Sequence, residues 1–175
     1  HTWSLAVEEQ FYLFHPFAVV LIWRWKKQAL LPVLVVTGVL SFILSVAVLD
    51  RYPSATFYML PTRAWELLIG GVLAVWPREI TLKQGSRMAL GVAALAMVAV
   101  PMFAYDRATP FPGLATLPPC LGTALLILIG TNGTTPISRA LAWAPMRRVG
   151  PTAHPLFPVH WAVLAVWRSL TFTHQ

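Results

Sequence analysis

The chain has 175 residues, 57% of them hydrophobic and 11% charged, with a mean hydropathy of +0.66. A soluble domain carries about 25% charged residues, so this composition excludes an ordinary soluble protein and marks an integral membrane protein. Lys and Arg number 13 against 6 Asp and Glu, a net charge of +7; these basic residues fall in short segments between apolar runs, which is the pattern of topology signals and phospholipid contacts and not of a nucleic-acid surface.

A membrane-spanning helix needs about 20 mainly apolar residues. The first candidate runs from Val7 to Trp25 and takes in the polar stretch Glu8-Glu9-Gln10 at its start. The second, Ala29 to Leu49, contains no charge. The third, Thr56 to Trp76, holds Arg63 and Glu66 in its first half. The fourth runs from Met88 to Tyr105. The fifth, Phe111 to Gly130, is interrupted by Pro118-Pro119, which must kink it or delay its start. The sixth, Pro155 to Leu170, is short and opens on prolines. The predicted fold class is therefore all-α: a polytopic bundle of about six transmembrane helices. Between the fifth and sixth segments, Asn132-Gly133 reads as a turn, and Ser138 to Trp143 as a short amphipathic surface helix capped by Ser138.

The loops alternate in charge. Arg24, Lys26 and Lys27 give the first loop three positives, and the second, Asp50 to Ser54, sums to zero. Arg78, Lys83 and Arg87 against Glu79 give the third a net of +2, and Asp106 cancels Arg107 in the fourth. The fifth carries Arg139, Arg147 and Arg148. The positive-inside rule puts the first, third and fifth loops in the cytoplasm. Trp3 to Gln10 and the Arg63 end of the third helix then share the outer face. The single Cys120 allows no disulfide framework, and no Cys or His pair has zinc-ligand spacing, so no metal is expected.

Charge at the mouth of a membrane helix is costly and rarely idle. Ser4, Glu8, Tyr12 and His15 follow the i, i+4, i+7 spacing of one helix face, while Glu9 points about 100° away. A carboxylate, a phenol and an imidazole on one stripe can pass a proton or orient a hydroxyl. The bland alternative is that Glu8 and Glu9 sit in headgroups and favour the helix N-terminus through its dipole. Arg63 and Glu66 lie three apart and can pair on one helix face, either to neutralise each other for insertion or to hold an anionic or carbonyl oxygen. Gly70-Gly71 would let a neighbouring helix approach closely. His160 beside Trp161 is a candidate acid/base or an ordinary packing residue, and Trp3 suits interfacial anchoring.

Three segments resemble the membrane acyltransferase-3 family, the O-acyltransferases of surface polysaccharides, peptidoglycan and related acceptors. Trp3 to Leu13 matches the family pattern W-S-L-x-V-E-E-Q-F-Y-L, and Arg63 to Gly70 matches R-A-W/F-E-L-L-x-G. Phe157 to Ala162 keeps only His160-Trp161 of a later Y-L-W-H-W-P. The resemblance implies a bundle of about ten helices that takes an acyl group, commonly acetyl, from a cytoplasmic acyl-CoA. It delivers that group to a hydroxyl of an extracytoplasmic glycan or lipid-linked acceptor, in a bacterial-type inner membrane. On this resemblance the catalytic candidates are Glu8, Arg63 and His160, and the substrate-binding candidates are Trp3, Ser4, Tyr12, His15 and Glu66. The family's early helix, with an Arg and a His about a dozen residues apart, precedes the glutamate motif and has no counterpart in these 175 residues. The sequence, which starts at His1, thus reads as part of a larger bundle. A transporter-like bundle and a non-catalytic remnant stand as the alternative readings.

Overall fold

The computed structural model describes residues 3–76, 83–106, 109–131, 133 and 135–152, together with positions 159, 163, 164, 166 and 167; side chains are described from Val7 onward. All regular structure among these residues is helical. Helix α1 spans Trp3–Lys26, and a 3-10 turn over Lys27–Ala29 leads into α2, Leu30–Leu49. A short α3, Pro53–Tyr58, precedes α4, Leu60–Val75. Helix α5 spans Gln84–Ala104, and a 3-10 turn at Leu114–Thr116 opens α6, Leu117–Thr131. The amphipathic α7 covers Pro136–Leu141, and residues 144–152 are again helical.

Among the described residues, three helical stretches are long and apolar enough to cross a membrane: Val7–Leu49, which holds α1 and α2, Gln84–Ala104, and Leu114–Thr131. The chain is thus an all-α membrane bundle. Its large apolar side chains point outward to a degree no soluble protein tolerates: Phe17, Trp25, Met102 and Phe103 are largely exposed. A small core forms where Leu30 and Leu34 of α2 meet Leu68 of α4, with Phe11, Val19 and Ile22 of α1 packed against them. Helices α2 and α4 run antiparallel, with Gly38 facing Leu68 and Ser41 reaching Trp65. Helix α1 packs against α2, α3 and α4. A second tight pair joins α5 to α6. There, a Cβ on Gly122 would stand 2.7 Å from the Ala94 carbonyl oxygen, so only glycine permits the contact.

Several expectations change. The run Thr56–Trp76 is two helices and not one, broken at the extended Met59. The reason is Pro61, which has no N–H to donate to Phe57 and whose ring would strike that carbonyl. The remaining α4 has 16 residues, short of the other spans. Pro118-Pro119 delays the fifth helix and does not kink it. Both prolines sit in the first turn of α6, where backbone N–H groups lack helical partners anyway. The cap of α7 is Thr135 and not Ser138. The Thr135 hydroxyl accepts from the Ser138 amide at 3.1 Å, and the Ser138 hydroxyl accepts from the Thr135 amide at 2.7 Å, a reciprocal capping box. Gly133 adopts φ +137°, the left-handed conformation the turn requires. Most of the sixth segment, His160 included, lies outside the described residues, as do Arg78, Glu79 and Arg107; each of the other five candidate segments holds a described helix.

Candidate active site at the head of the fourth helix

The site is built around the break before Pro61. Thr62 sits one residue beyond the proline, and its hydroxyl hydrogen-bonds the carbonyls of Thr56 at 2.7 Å and Met59 at 2.8 Å. These are carbonyls freed where α3 ends. From α2, the Ser41 hydroxyl donates to the Pro61 carbonyl at 2.6 Å and accepts from the Trp65 amide at 3.1 Å. Both Ser41 and Thr62 are buried. Two hydroxyls thus clamp the corner from opposite sides, and the corner sets where Arg63 and Glu66 point.

Arg63 and Glu66 form a fork. Nη2 stands 3.0 Å from Oε2, Nε stands 3.5 Å from Oε1, and each side chain is only 14% exposed. The Phe57 ring of α3 lies 5.4 Å from the guanidinium carbon, a cation–π contact that the corner makes possible. Phe111, from the segment before α6, stands 6.1 Å from Phe57 and closes that side. Cys120, half-buried in the first turn of α6, lies within electrostatic reach of both charges. The Phe57 ring and the low exposure of both side chains put this pair in a low-dielectric setting.

Helix α1 supplies the second group of candidates. His15 stacks on Phe11 at 4.5 Å, and its Nε2 faces Gly71 of α4, where an added Cβ would sit at 3.5 Å. That nitrogen is buried and has no hydrogen-bond partner among the described residues. Glu8 is half-buried. The expected stripe is not uniform, however: Tyr12 is 59% exposed and turned away from α4, while Phe11 and His15 occupy the packed side. Trp3 and Ser4 form the first turn of α1. Gly71, and not Gly70, makes the close helix approach.

Sequence reasoning did not single out Ser41, Phe57 or Thr62. A signal existed for Ser41: it and Ser45, four apart, are buried polar positions in an otherwise apolar helix. Phe57 and Thr62 become visible only once the corner is known.

The acyltransferase-domain family model matches residues 1–175. YrhL of Bacillus subtilis is 30% identical over 94% of this chain and 28% of its own length. The peptidoglycan O-acetyltransferase OatA of Listeria monocytogenes is 28% identical over the same shares. The O-acetyltransferase OatA of Staphylococcus aureus is 24% identical over 97% of this chain and 30% of its own length. The chain thus spans less than a third of these curated relatives. No solved structure matches it. With its whole length matched by the family model, the chain belongs to the acyltransferase-3 family.

Proposed function

We propose that this chain is part of an integral membrane O-acyltransferase. It would transfer an acyl group, acetyl in the first instance, from a cytoplasmic acyl-CoA to a hydroxyl of an extracytoplasmic glycan, peptidoglycan being the acceptor the relatives' names suggest. The observation that carries this reading is the Arg63–Glu66 fork, 14% exposed and faced by the Phe57 ring. The loop charges support a membrane orientation with Trp3–Gln10 and the fork on the extracytoplasmic side of a bacterial cell membrane.

In the transfer, the acceptor oxygen adds to the acyl carbonyl, its proton leaves to a base, and the carbon–sulfur bond to the coenzyme breaks to return the thiol. A guanidinium has five N–H donors, and the fork uses two of them on Glu66. The others remain to hold the developing negative charge on the carbonyl oxygen. Glu66 keeps the guanidinium plane fixed. Glu8 orients the acceptor hydroxyl, and His160 serves as acid/base. Trp3, Ser4, Tyr12 and His15 line the acceptor's approach. No metal is required by this scheme.

The test is Glu8→Gln and Arg63→Lys in the membrane-expressed protein, with acceptor acetylation read by mass spectrometry of the glycan and protein level read by immunoblot. Acetylation should fall at least about a hundredfold in each, the usual loss of a positioned acid/base or oxyanion donor. Unchanged acetylation at normal protein level refutes the assigned roles.

A further inference from the structure

The Arg63–Glu66 fork joins two side chains of one helix, three residues apart. Both hang on flexible stems, so the fork fixes the pair internally and leaves it free to swing as a unit against the rest of the bundle. A guanidinium that is to meet a developing charge needs a further point of support from outside α4. Phe57 of α3 supplies one, with its ring 5.4 Å from the guanidinium carbon. The backbone beside the two residues is tied as well. The Thr62 hydroxyl donates to the Thr56 carbonyl at 2.7 Å, and these are the immediate chain neighbours of Arg63 and Phe57. The hydroxyl of Thr56, itself buried, donates in turn to the Tyr52 carbonyl at 2.9 Å.

The ring of Phe57 has its own seat. Phe111, from the segment that leads into α6, stands 6.1 Å from it, tilted by 54°. That segment is anchored directly behind Phe111. Pro112 is fully buried, the Gly113 amide donates to the Thr116 hydroxyl at 3.2 Å, and a Cβ on Gly113 would stand 2.9 Å from Leu49 Cδ2 at the end of α2. The place of Phe111 is thus set by α2 and by its own turn, independently of α3 and α4. A line of contacts runs from this segment through the Phe57 ring to the guanidinium.

We propose that Phe57 is a positioning residue for acyl transfer, holding the Arg63 guanidinium at one angle through its ring face, and that Phe111 holds Phe57 in place. The inference rests on the role given to Arg63 above and adds the residues that fix the direction of its donors.

The test replaces Phe57 in the membrane-expressed protein by mono-, di- and trifluorophenylalanine. Fluorine drains electron density from the ring face and leaves the shape nearly unchanged, so a packing role would not respond. The kcat for acceptor acetylation should fall in steps, to about one tenth with three fluorines, the equivalent of one desolvated cation–π contact. KM for the acyl donor should stay within about twofold, because orienting an oxyanion donor acts in the transition state. The same series at the exposed Phe17 should leave kcat unchanged, whereas Phe111→Ala should lower it about as far as trifluorination of Phe57. Independently of turnover, the Arg63 Hε resonance in protein with isotope-labelled arginine, assigned through Arg63→Lys, should be displaced by the Phe57 ring current. Phe57→Leu should abolish that displacement.

Full acetylation by Arg63→Lys refutes the role of Arg63 itself. If Arg63→Lys lowers acetylation and fluorination at Phe57 does not, positioning by Phe57 is overturned while the role of Arg63 stands. A resonance that is the same in Phe57→Leu overturns it too. An unaltered kcat in Phe111→Ala would overturn the part assigned to Phe111. Fluorination keeps the ring and its packing, so the proposal stays decidable even if Phe57→Leu fails to fold.

Discussion

Replacing Glu66 by Met leaves the Arg63 guanidinium fully charged with no carboxylate beside it. Both side chains are 14% exposed, and the Phe57 ring lies 5.4 Å from the guanidinium carbon. Removing one partner of a pair buried to this degree costs about 3–5 kcal/mol, because the remaining charge keeps its desolvation penalty and loses its compensation. The same cost applies to Arg63→Met, which strands Glu66. The double variant Arg63→Met/Glu66→Met removes both charges, and such replacements in buried pairs are often neutral or stabilising. The single costs should therefore fail to add by at least about 2 kcal/mol. Unfolding by SDS in mixed micelles, followed by circular dichroism, measures all three. The double variant also separates stability from chemistry: it should fold like the parent and yet fail to acetylate the acceptor. Single variants as stable as the parent would mean the pair is solvated and not buried. Full acetylation by the double variant would reduce the pair to an insertion device.

Other consequences are local. Ser41→Ala removes the bridge between the Pro61 carbonyl and the Trp65 amide and should cost about 1 kcal/mol; Ser45→Ala, whose hydroxyl has no partner among the described residues, should cost less in the same SDS titration. Gly122→Val drives a side chain into the Ala94 carbonyl and should destabilise the α5–α6 pair by about 1–3 kcal/mol, lowering the SDS midpoint. Gly71→Leu should separate α1 from α4 and abolish a cysteine cross-link engineered between the two helices, whereas Gly70→Leu, with nothing within 4 Å of its added Cβ, should leave that cross-link intact.

What the sequence made legible follows from how local each feature is. The membrane class and α2 could be read because composition and an unbroken apolar run need no knowledge of neighbours. The Arg63–Glu66 pair could be read because three-residue spacing on a helix is itself a contact. The α3–α4 break could not be read as such, although Pro61 was in plain view. Its position within an apolar run long enough to span the membrane favoured one helix over two, and only the extended Met59 shows where the chain turns. The stripe of Ser4, Glu8, Tyr12 and His15 was correct as helical geometry but incomplete as a site. Periodicity says which residues share a face and not which part of that face meets α4, and Phe11 and His15 take that part while Tyr12 stays exposed.

The surroundings of the Arg63–Glu66 pair bear on why it is there. Carrying two charges through a membrane requires only that they neutralise each other, and any i,i+3 or i,i+4 pair on a straight helix achieves that. Insertion does not require a proline corner, a Thr62 hydroxyl spanning two freed carbonyls, or a Ser41 hydroxyl reaching across from another helix. These features add buried polar groups to a membrane bundle, each of which must find a partner, so they make insertion harder and not easier. What they accomplish is to hold one guanidinium at a fixed place and angle, stacked on Phe57 and forked onto Glu66. Fixed orientation of a charge in a dry site is a requirement of binding and catalysis, where misplacement by about 1 Å costs rate, and it has no value for solubility in lipid. The corner therefore argues for a functional Arg63 independently of any family likeness. It also predicts that Thr62→Val, which leaves both charges in place, impairs acyl transfer far more than it impairs insertion.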